Sequence, residues 1–188
     1  MLPSRTETEA EIEKLIKDGC VVISQHTDTI GPAISCEESS GKRRVYFVGY
    51  NQSMSEVAPT ASLITSRICW EPYILGAVDA VMSGKKIEEV VTGNIHGNDI
   101  SAGFDKGWVE MTDLNQQVAP TGTQAAMDRA IDRFKRGDDN FVFKGSYTGV
   151  NPDDPSDTYD LKNGYNENEM TSYPLFHYVL DDVITIEQ

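Results

Sequence analysis

The chain has 188 residues, 39% of them hydrophobic, and a formal net charge of −14. This length suits one domain or one and a half lobes of a larger protein, and the apolar content excludes wholesale disorder. The excess of carboxylates argues against nucleic acids and anionic membrane surfaces as partners, because both require clustered Lys and Arg. No apolar run of about 18 residues is present to span a bilayer, and the acidic N-terminus lacks a signal-peptide pattern.

Helices and strands alternate through the first half of the chain. The first two strands are continuous apolar runs, VVI and VYFV, which is typical of strands buried on both faces of a sheet. The expected fold class is therefore α/β, with a parallel sheet flanked by helices. In chain order the predicted elements are a helix over residues 6–18, a strand over Cys20–Ser24, a helix over Gly31–Ser39, strands over Val45–Val48 and Ala61–Thr65, and a helix over Pro72–Met82.

The second half of the chain has weaker periodicity. The pattern predicts strands over residues 90–93 and 106–111, an amphipathic helix over Thr123–Arg136, and a strand-like segment at residues 141–143. The stretch NPDDPSDTYDLKNGYNENEM that follows is rich in turn-forming residues and predicts a long polar loop.

The cysteines and histidines give no pattern of a metal site. Cys20, Cys36 and Cys69 show no CxxC spacing, and their odd number argues against a disulfide framework. Cys20 and Cys36 flank apolar patterns and are expected to be small core residues. His96 and His177 have no carboxylate or Cys partner at a ligand spacing, so we expect neither a metal ion nor a cofactor.

Polar side chains follow the first two predicted strands at the point where each strand ends. His26, Thr27 and Asp28 follow the first strand, and Asn51 follows the second. Parallel strands bring their carboxyl ends to one edge, where α/β proteins bind ligands, so these four residues predict a ligand-binding rim. Two alternatives remain: Asp28, with Thr29, could cap the next helix, and Asn51 could be a turn residue.

Trp70 lies between a polar stretch and the helix that begins at Pro72. Its indole could stack on a planar ligand, a contact worth about 1–3 kcal/mol per base. Alternatively, Trp70 could be half-buried between two layers of the fold. Trp108, inside an apolar run, is expected to be a core residue.

Several motifs in order carry a resemblance to a known family. The stretches GCVVISQHTDT, VYFVGYNQSMS, APTASLITSRICWEPYILGAVDAVMSG and GWVEMTDLN resemble the C-terminal half of basic membrane protein (BMP) family lipoproteins. These are substrate-binding proteins of ABC importers, related to purine-nucleoside-binding lipoproteins. The resemblance implies a type 1 periplasmic-binding-protein-like fold, and a nucleoside or nucleobase ligand held by His26, Thr27, Asp28, Asn51 and Trp70.

The same resemblance implies a location and partners. Family members are anchored at the cell surface or in the periplasm and deliver ligand to an ABC transporter permease. They begin with an export signal, a lipid-bearing cysteine and an N-terminal lobe, and we expect the residues of this chain to correspond to the part that follows them. We therefore expect residues 1–139 to be the C-terminal lobe with its crossover segments, and residues 140–188 to be a polar loop and tail that pack back on it.

One loop departs from the family pattern. The family's usual Gly-Gly-Leu-Lys-Asp-Gly loop reads AGFDKG at residues 102–107, with Asp and Lys transposed.

Two further expectations follow if the chain is a single lobe. Helix 72–82 would expose an apolar face that invites a homodimer or association with the other half. We expect ligand binding by this chain alone to be weak or absent.

Two other classes of function are compatible with this lobe. One is a stand-alone α/β ligand-sensing or regulatory module, although no helix-turn-helix or basic surface accompanies it. The other is an enzyme such as a nucleoside hydrolase, with His26 and Asp28 catalytic. No nucleophile and no acidic cluster of metal-binding spacing accompanies this pair, so we expect no enzymatic activity.

Overall fold

The computed structural model describes residues 5–41, 43–96, 99–112, 114–166 and 175–180. The α-helices are α1 Arg5–Lys17, α2 Gly31–Ser40, α3 Glu71–Ser83 and α4 Thr123–Lys135. The strands are β1 Val22–Ser24, β2 Tyr46–Tyr50, β3 Ser62–Ile68, β4 Asn94–His96, β5 Asp99–Ser101, β6 Val109–Met111, β7 Thr148–Val150, β8 Thr158–Asp160 and β9 Val179–Leu180.

The chain divides into two compact units. Unit 1 comprises Met1–Pro72 and Gly107–Arg129, and unit 2 comprises Tyr73–Lys106 and Ala130–Gln188. The chain therefore passes from one unit to the other at three points in the sequence. No helix in the described ranges is both long and apolar enough to cross a bilayer.

Unit 1 contains a four-stranded sheet in the order β1-β2-β3-β6. The first three strands are parallel, with Ile23 opposite Phe47 and Val48 opposite Ile64. β6 is antiparallel to β3, with Arg67 opposite Glu110. The predicted α/β class with a mostly parallel sheet and flanking helices is confirmed, although the strand predicted at residues 106–111 is shorter and enters the sheet antiparallel.

The core of unit 1 lies where α1 and α2 pack against the sheet. Phe47 and Val45 are fully buried there, and burial of side chains of this size stabilises the fold by about 1.5–3 kcal/mol each. Cys36 of α2 is also fully buried, and this burial raises the pKa of its thiol to about 12. Cys36 is thus a neutral core residue as predicted, and the partly buried Cys20 packs beside the same cluster.

One expectation about this sheet was wrong. β1 is an edge strand whose burial alternates, because Ile23 is 3% exposed whereas Val22 is 53% exposed. An apolar run predicts a strand, but only the tertiary structure decides whether a second layer covers its other face.

Unit 2 contains more strands than the sequence predicted. β4 and β5 form a hairpin, and the order β8-β7-β9 makes a three-stranded antiparallel sheet. The predicted strand at residues 90–93 is instead a turn after the short 3-10 helix Ile87–Glu89.

The predicted polar loop and the segment before it also differ from expectation. Residues 141–143 lie in the 3-10 helix Asn140–Phe143, where the Phe141 ring contacts Phe134 at 5.1 Å and the guanidinium of Arg133 at 3.8 Å. β8 lies inside the predicted loop, because Asn151 and Asp154 side chains accept local backbone N–H bonds and close the turn before it. Residues 167–174 and 181–188 of the predicted tail lie outside the described residues.

Candidate functional site

The carboxyl ends of β1 and β2 meet at one edge of the unit 1 sheet, as predicted. His26 follows β1 and is exposed, and its ring stacks on that of Tyr50, the last residue of β2. The ring centroids are 4.8 Å apart and the planes differ by 15°. His26 therefore stands beside the chain segment that carries Asn51.

The loop after β1 is held by Gln25, a residue that the sequence reasoning did not select. Its Nε2 donates to the backbone carbonyls of Thr27 and Thr29, at 2.9 Å each. Gln25 is only 5% exposed because it lies two residues after the buried Ile23, on the same side of the strand. An amide that continues the buried side of a strand was the signal that could have identified it.

Asp28 does not cap the next helix. α2 begins after Ile30 without a side-chain cap, and the nearest substitute is the Thr29 hydroxyl, which accepts from the Gly31 N–H at 3.2 Å. The capping alternative is therefore wrong for Asp28. Thr29 does accept a backbone N–H at the start of α2, although the N-cap position itself is occupied by Ile30. Thr27 and Asp28 are both exposed on the rim, so the Asp28 carboxylate is accessible to a ligand.

Asn51 joins the ends of β2 and β3. Its backbone has φ of 61°, the left-handed conformation that Asn tolerates better than most residues, so the turn interpretation is confirmed. Its N–H donates to the Ser66 carbonyl at 2.7 Å, and its Oδ1 accepts from the Ile68 N–H at 3.1 Å. The side-chain oxygen is engaged, and the exposed amide offers a ligand its two N–H donors.

A cleft of about 430 Å³ lies beyond the carboxyl end of β3. Trp70 lines it and is 60% exposed, so the alternative of a half-buried packing residue is wrong. Arg67 and Glu110 form an ion pair in its wall. The volume is within the range of about 300–1,000 Å³ that is typical of small-molecule sites.

A larger cavity of about 660 Å³ lies elsewhere in unit 1, beside β3. One of its polar side chains is already engaged, because Asn115 Nδ2 donates to the Pro59 and Ser62 carbonyls and Asn115 Oδ1 accepts from the Gln117 N–H. Among the residues that the structure describes, none of those lining this cavity is aromatic. We favour the rim and the Trp70 cleft, because they combine an exposed ring with uncommitted polar groups.

Comparison with known proteins adds information on the fold alone. No family model and no curated protein matches the chain. A solved structure of a transcriptional activator of the comK gene from Bacillus halodurans matches with a TM-score of 0.51 and 17% identity. The match covers 70% of this chain and 42% of that one, so the chain spans less than half the length of that protein.

Proposed function

We propose that this chain is part of a solute-binding protein with a type 1 periplasmic-binding-protein-like fold, of the kind that delivers ligands to ABC importers. The observation that carries the proposal is the chemistry of one sheet edge. There the His26–Tyr50 stack and the exposed Asp28 and Asn51 border the same set of strand ends as the Trp70 cleft. The proposed ligand is a purine nucleoside or nucleobase.

Each group on this edge has a defined role in the proposal. The exposed face of Trp70 stacks on the base, a contact worth about 1–3 kcal/mol. The Asn51 N–H donors bind an acceptor on the ligand, and the Asp28 carboxylate accepts from its hydroxyl or N–H groups. Specificity arises because a ligand that leaves these groups unpaired loses about 1–3 kcal/mol for each.

We also expect that this chain, by itself, binds the nucleoside ligand with low affinity. A rim that contacts one side of a ligand leaves the other side in water, whereas proteins of this type close two lobes around it by hinge motion. We therefore expect a dissociation constant of about 1 mM or weaker, equivalent to about −4 kcal/mol.

Tryptophan fluorescence can test the proposal, because the two tryptophans differ in environment. Trp70 is exposed and Trp108 is 9% exposed, so a stacking ligand should quench Trp70 selectively. Titration with adenosine and guanosine should give weak saturable quenching, and ribose, which has no base, should give none. Trp70→Phe should abolish the change while leaving the emission of Trp108.

The Asn51→Asp variant tests the polar contact. It retains an oxygen that can accept from the Ile68 N–H but removes the donors, so we expect about a tenfold loss of affinity with little loss of stability. Tyr147→Ala, at an exposed aromatic residue of unit 2, is the matched control and should bind like the unmodified chain. Quenching that persists in Trp70→Phe would contradict the assignment of Trp70 as the residue that stacks on the base. Micromolar affinity of this chain for a nucleoside would show that one lobe is enough for binding.

A stand-alone ligand-sensing or regulatory module is the second candidate. The observation that favours it is that the matched solved structure has the name of a transcriptional activator. Both candidates use the same cleft, and they differ in the partner: a permease for the first and a regulatory protein for the second. Incubation with inosine tests the enzymatic alternative, and we expect no free base.

A further inference from the structure

The two faces of α3 differ strongly in burial within unit 2. Ala80 is fully buried, and a Cβ added at Gly76 would lie 2.9 Å from the Val91 side chain, so this face is packed closely. At about 100° per residue, the large apolar side chains fall within an arc of about 120° on the opposite face. They are between 50% and 82% exposed: Ile74, Leu75, Val78, Val81 and Met82.

This exposed face is large and nearly free of polar groups. Four of the five side chains line an apolar cleft of about 360 Å³, to which Ile87 also contributes. The five side chains expose on the order of 600 Å², which is the upper end of the largest apolar patch on a typical monomer. An exposed apolar patch of this size marks a site of interaction with another molecule, so we expect a partner to cover it.

The order of residues along the face indicates what that partner is. The exposed apolar positions are symmetric about Val78: Ile74 and Met82 are each four residues away, and Leu75 and Val81 are each three away. If two copies of α3 pack antiparallel with a two-fold axis at Val78, each apolar residue meets an apolar residue of the other copy. Closed dimers use this kind of self-complementary interface.

The charges at the ends of the face follow the same symmetry. Glu71 is the first residue of α3, and Lys85 follows its last turn, each seven residues from Val78. An antiparallel pair brings Glu71 of each copy to the helix end that Lys85 follows in the other copy, and it opposes the two helix dipoles favourably. A parallel pair would place like charges together.

We propose that the outer face of α3 is a homodimer interface, in which two copies pack antiparallel about Val78. The proposal goes beyond ligand capture and does not depend on it, because the five apolar residues of the face lie outside both the rim and the Trp70 cleft; of the two terminal charges, Glu71 also lines that cleft. An independent lobe of a solute-binding protein is the competing occupant, and it would leave the isolated chain monomeric.

The mass in solution, measured by light scattering or sedimentation at about 100 µM, tests the proposal, since interfaces of this size commonly bind in the micromolar range. The unmodified chain should have twice the monomer mass. Val78→Glu places two carboxylates together on the axis and should yield monomers with unchanged circular dichroism. Val142→Glu, at a valine of unit 2 with 54% exposure outside α3, is the matched control and should remain dimeric.

Charge reversal tests the antiparallel register. Glu71→Lys alone and Lys85→Glu alone should each weaken the dimer about two- to fivefold, and the double variant should restore it, because an exposed ion pair contributes about 0.2–1 kcal/mol. The proposal is overturned by a monomeric unmodified chain, by a dimer that survives Val78→Glu, or by a double variant weaker than both single variants.

Discussion

The two units of this chain are stabilised in different ways. Of the sixteen buried apolar residues among the described ones, thirteen lie in unit 1 and three, Ala80, Val91 and Leu161, lie in unit 2. Unit 1 is built around aliphatic side chains and one phenylalanine between helices and a sheet. Unit 2 instead has many contacts between half-buried rings.

The ring contacts of unit 2 link segments that are distant in sequence. Phe143 and Phe176 stack with centroids 4.1 Å apart, and Tyr165 meets Tyr159 and Phe176 edge-on at 5.3 and 5.0 Å. Each such pair contributes about 0.5–1.5 kcal/mol beyond the area that it buries. Overall apolar content therefore does not locate the core, since α3, the most apolar of the four α-helices, leaves five large apolar side chains exposed.

The largest effect should come from the core of unit 1. Phe47→Ala removes a fully buried ring and should reduce the free energy of unfolding by about 3–5 kcal/mol, because it leaves a cavity. Val142→Ala, at an exposed valine of unit 2, should change it by less than about 0.5 kcal/mol. Urea unfolding followed by circular dichroism measures the free energy of unfolding of both variants. Similar losses for Phe47→Ala and Val142→Ala would contradict the difference in stabilisation between the two units.

The close approach of β2 and β3 in unit 1 leads to a second prediction. A Cβ at Gly49 would lie 2.6 Å from the Thr65 hydroxyl, which is 1% exposed, so Gly49→Ala should cost about 1–3 kcal/mol by overpacking. Gly41→Ala, where a Cβ meets no atom within 4 Å, is the matched control. Thermal unfolding distinguishes them, and equal midpoints would show that β2 and β3 can separate without cost.

The half-buried carboxylate of Glu37 leads to a third prediction for unit 1, with a smaller expected loss of stability. Glu37 of α2 accepts from the Thr60 N–H at 2.9 Å, the Thr60 hydroxyl at 2.8 Å and the Ala61 N–H at 2.9 Å, and so fastens α2 to the start of β3. Glu37→Gln should cost about 1–2 kcal/mol, because hydrogen bonds to a charged group are lost or weakened. The exposed neighbour Glu38→Gln should be neutral, and a Glu37→Gln variant as stable as Glu38→Gln would contradict this account.

The smallest effect should be a pH dependence in unit 2. The Leu175 carbonyl at 2.8 Å from His177 Nδ1 and the Asp157 carboxylate at 3.4 Å from Nε2 raise the pKa of His177. Both groups only accept hydrogen bonds, so only the protonated ring, with two N–H donors, can bond to both at once. Hydrogen bonds from Asn151, and then from His177, lower the pKa of Asp157.

The two shifts define a window of pH. The contribution of His177 is fully present below its unfolded value of about 6.5 and is lost as the pH rises through its raised pKa in the folded state. The contribution of Asp157 is present above about 3.9 and is lost as the pH falls through its lowered pKa. β9 should therefore be held most firmly between about pH 4 and 6.5.

Proton NMR of the His177 ring measures this contact directly. In Asp157→Asn the pKa of His177 should fall towards its ordinary value but stay above it, because the Leu175 carbonyl remains. An unchanged pKa in that variant would show that the carboxylate does not act on the ring.

Much of unit 1 and part of the candidate site could be predicted from the sequence. The predicted bounds of α1, α2 and α3 agree with the structure to within one residue at each end, because apolar periodicity and Gly or Pro at the helix ends are local signals. The position of His26 beside the end of β2 followed from parallel pairing. The position of Gln25 two residues after Ile23 was a signal of its burial, but its partners, two backbone carbonyls of the following loop, could not be predicted from the sequence.

The α/β class, the order of elements in unit 1 and the sheet edge that carries His26, Asp28 and Asn51 could all be predicted from the residue pattern. These depend on local periodicity and on the geometry of parallel strands. The exposure of one face of β1, the antiparallel direction of β6 and the presence of β8 in the polar tail could not be predicted and are seen only in the folded chain. Each of these depends on long-range neighbours, and burial is a property of the neighbours and not of the residue.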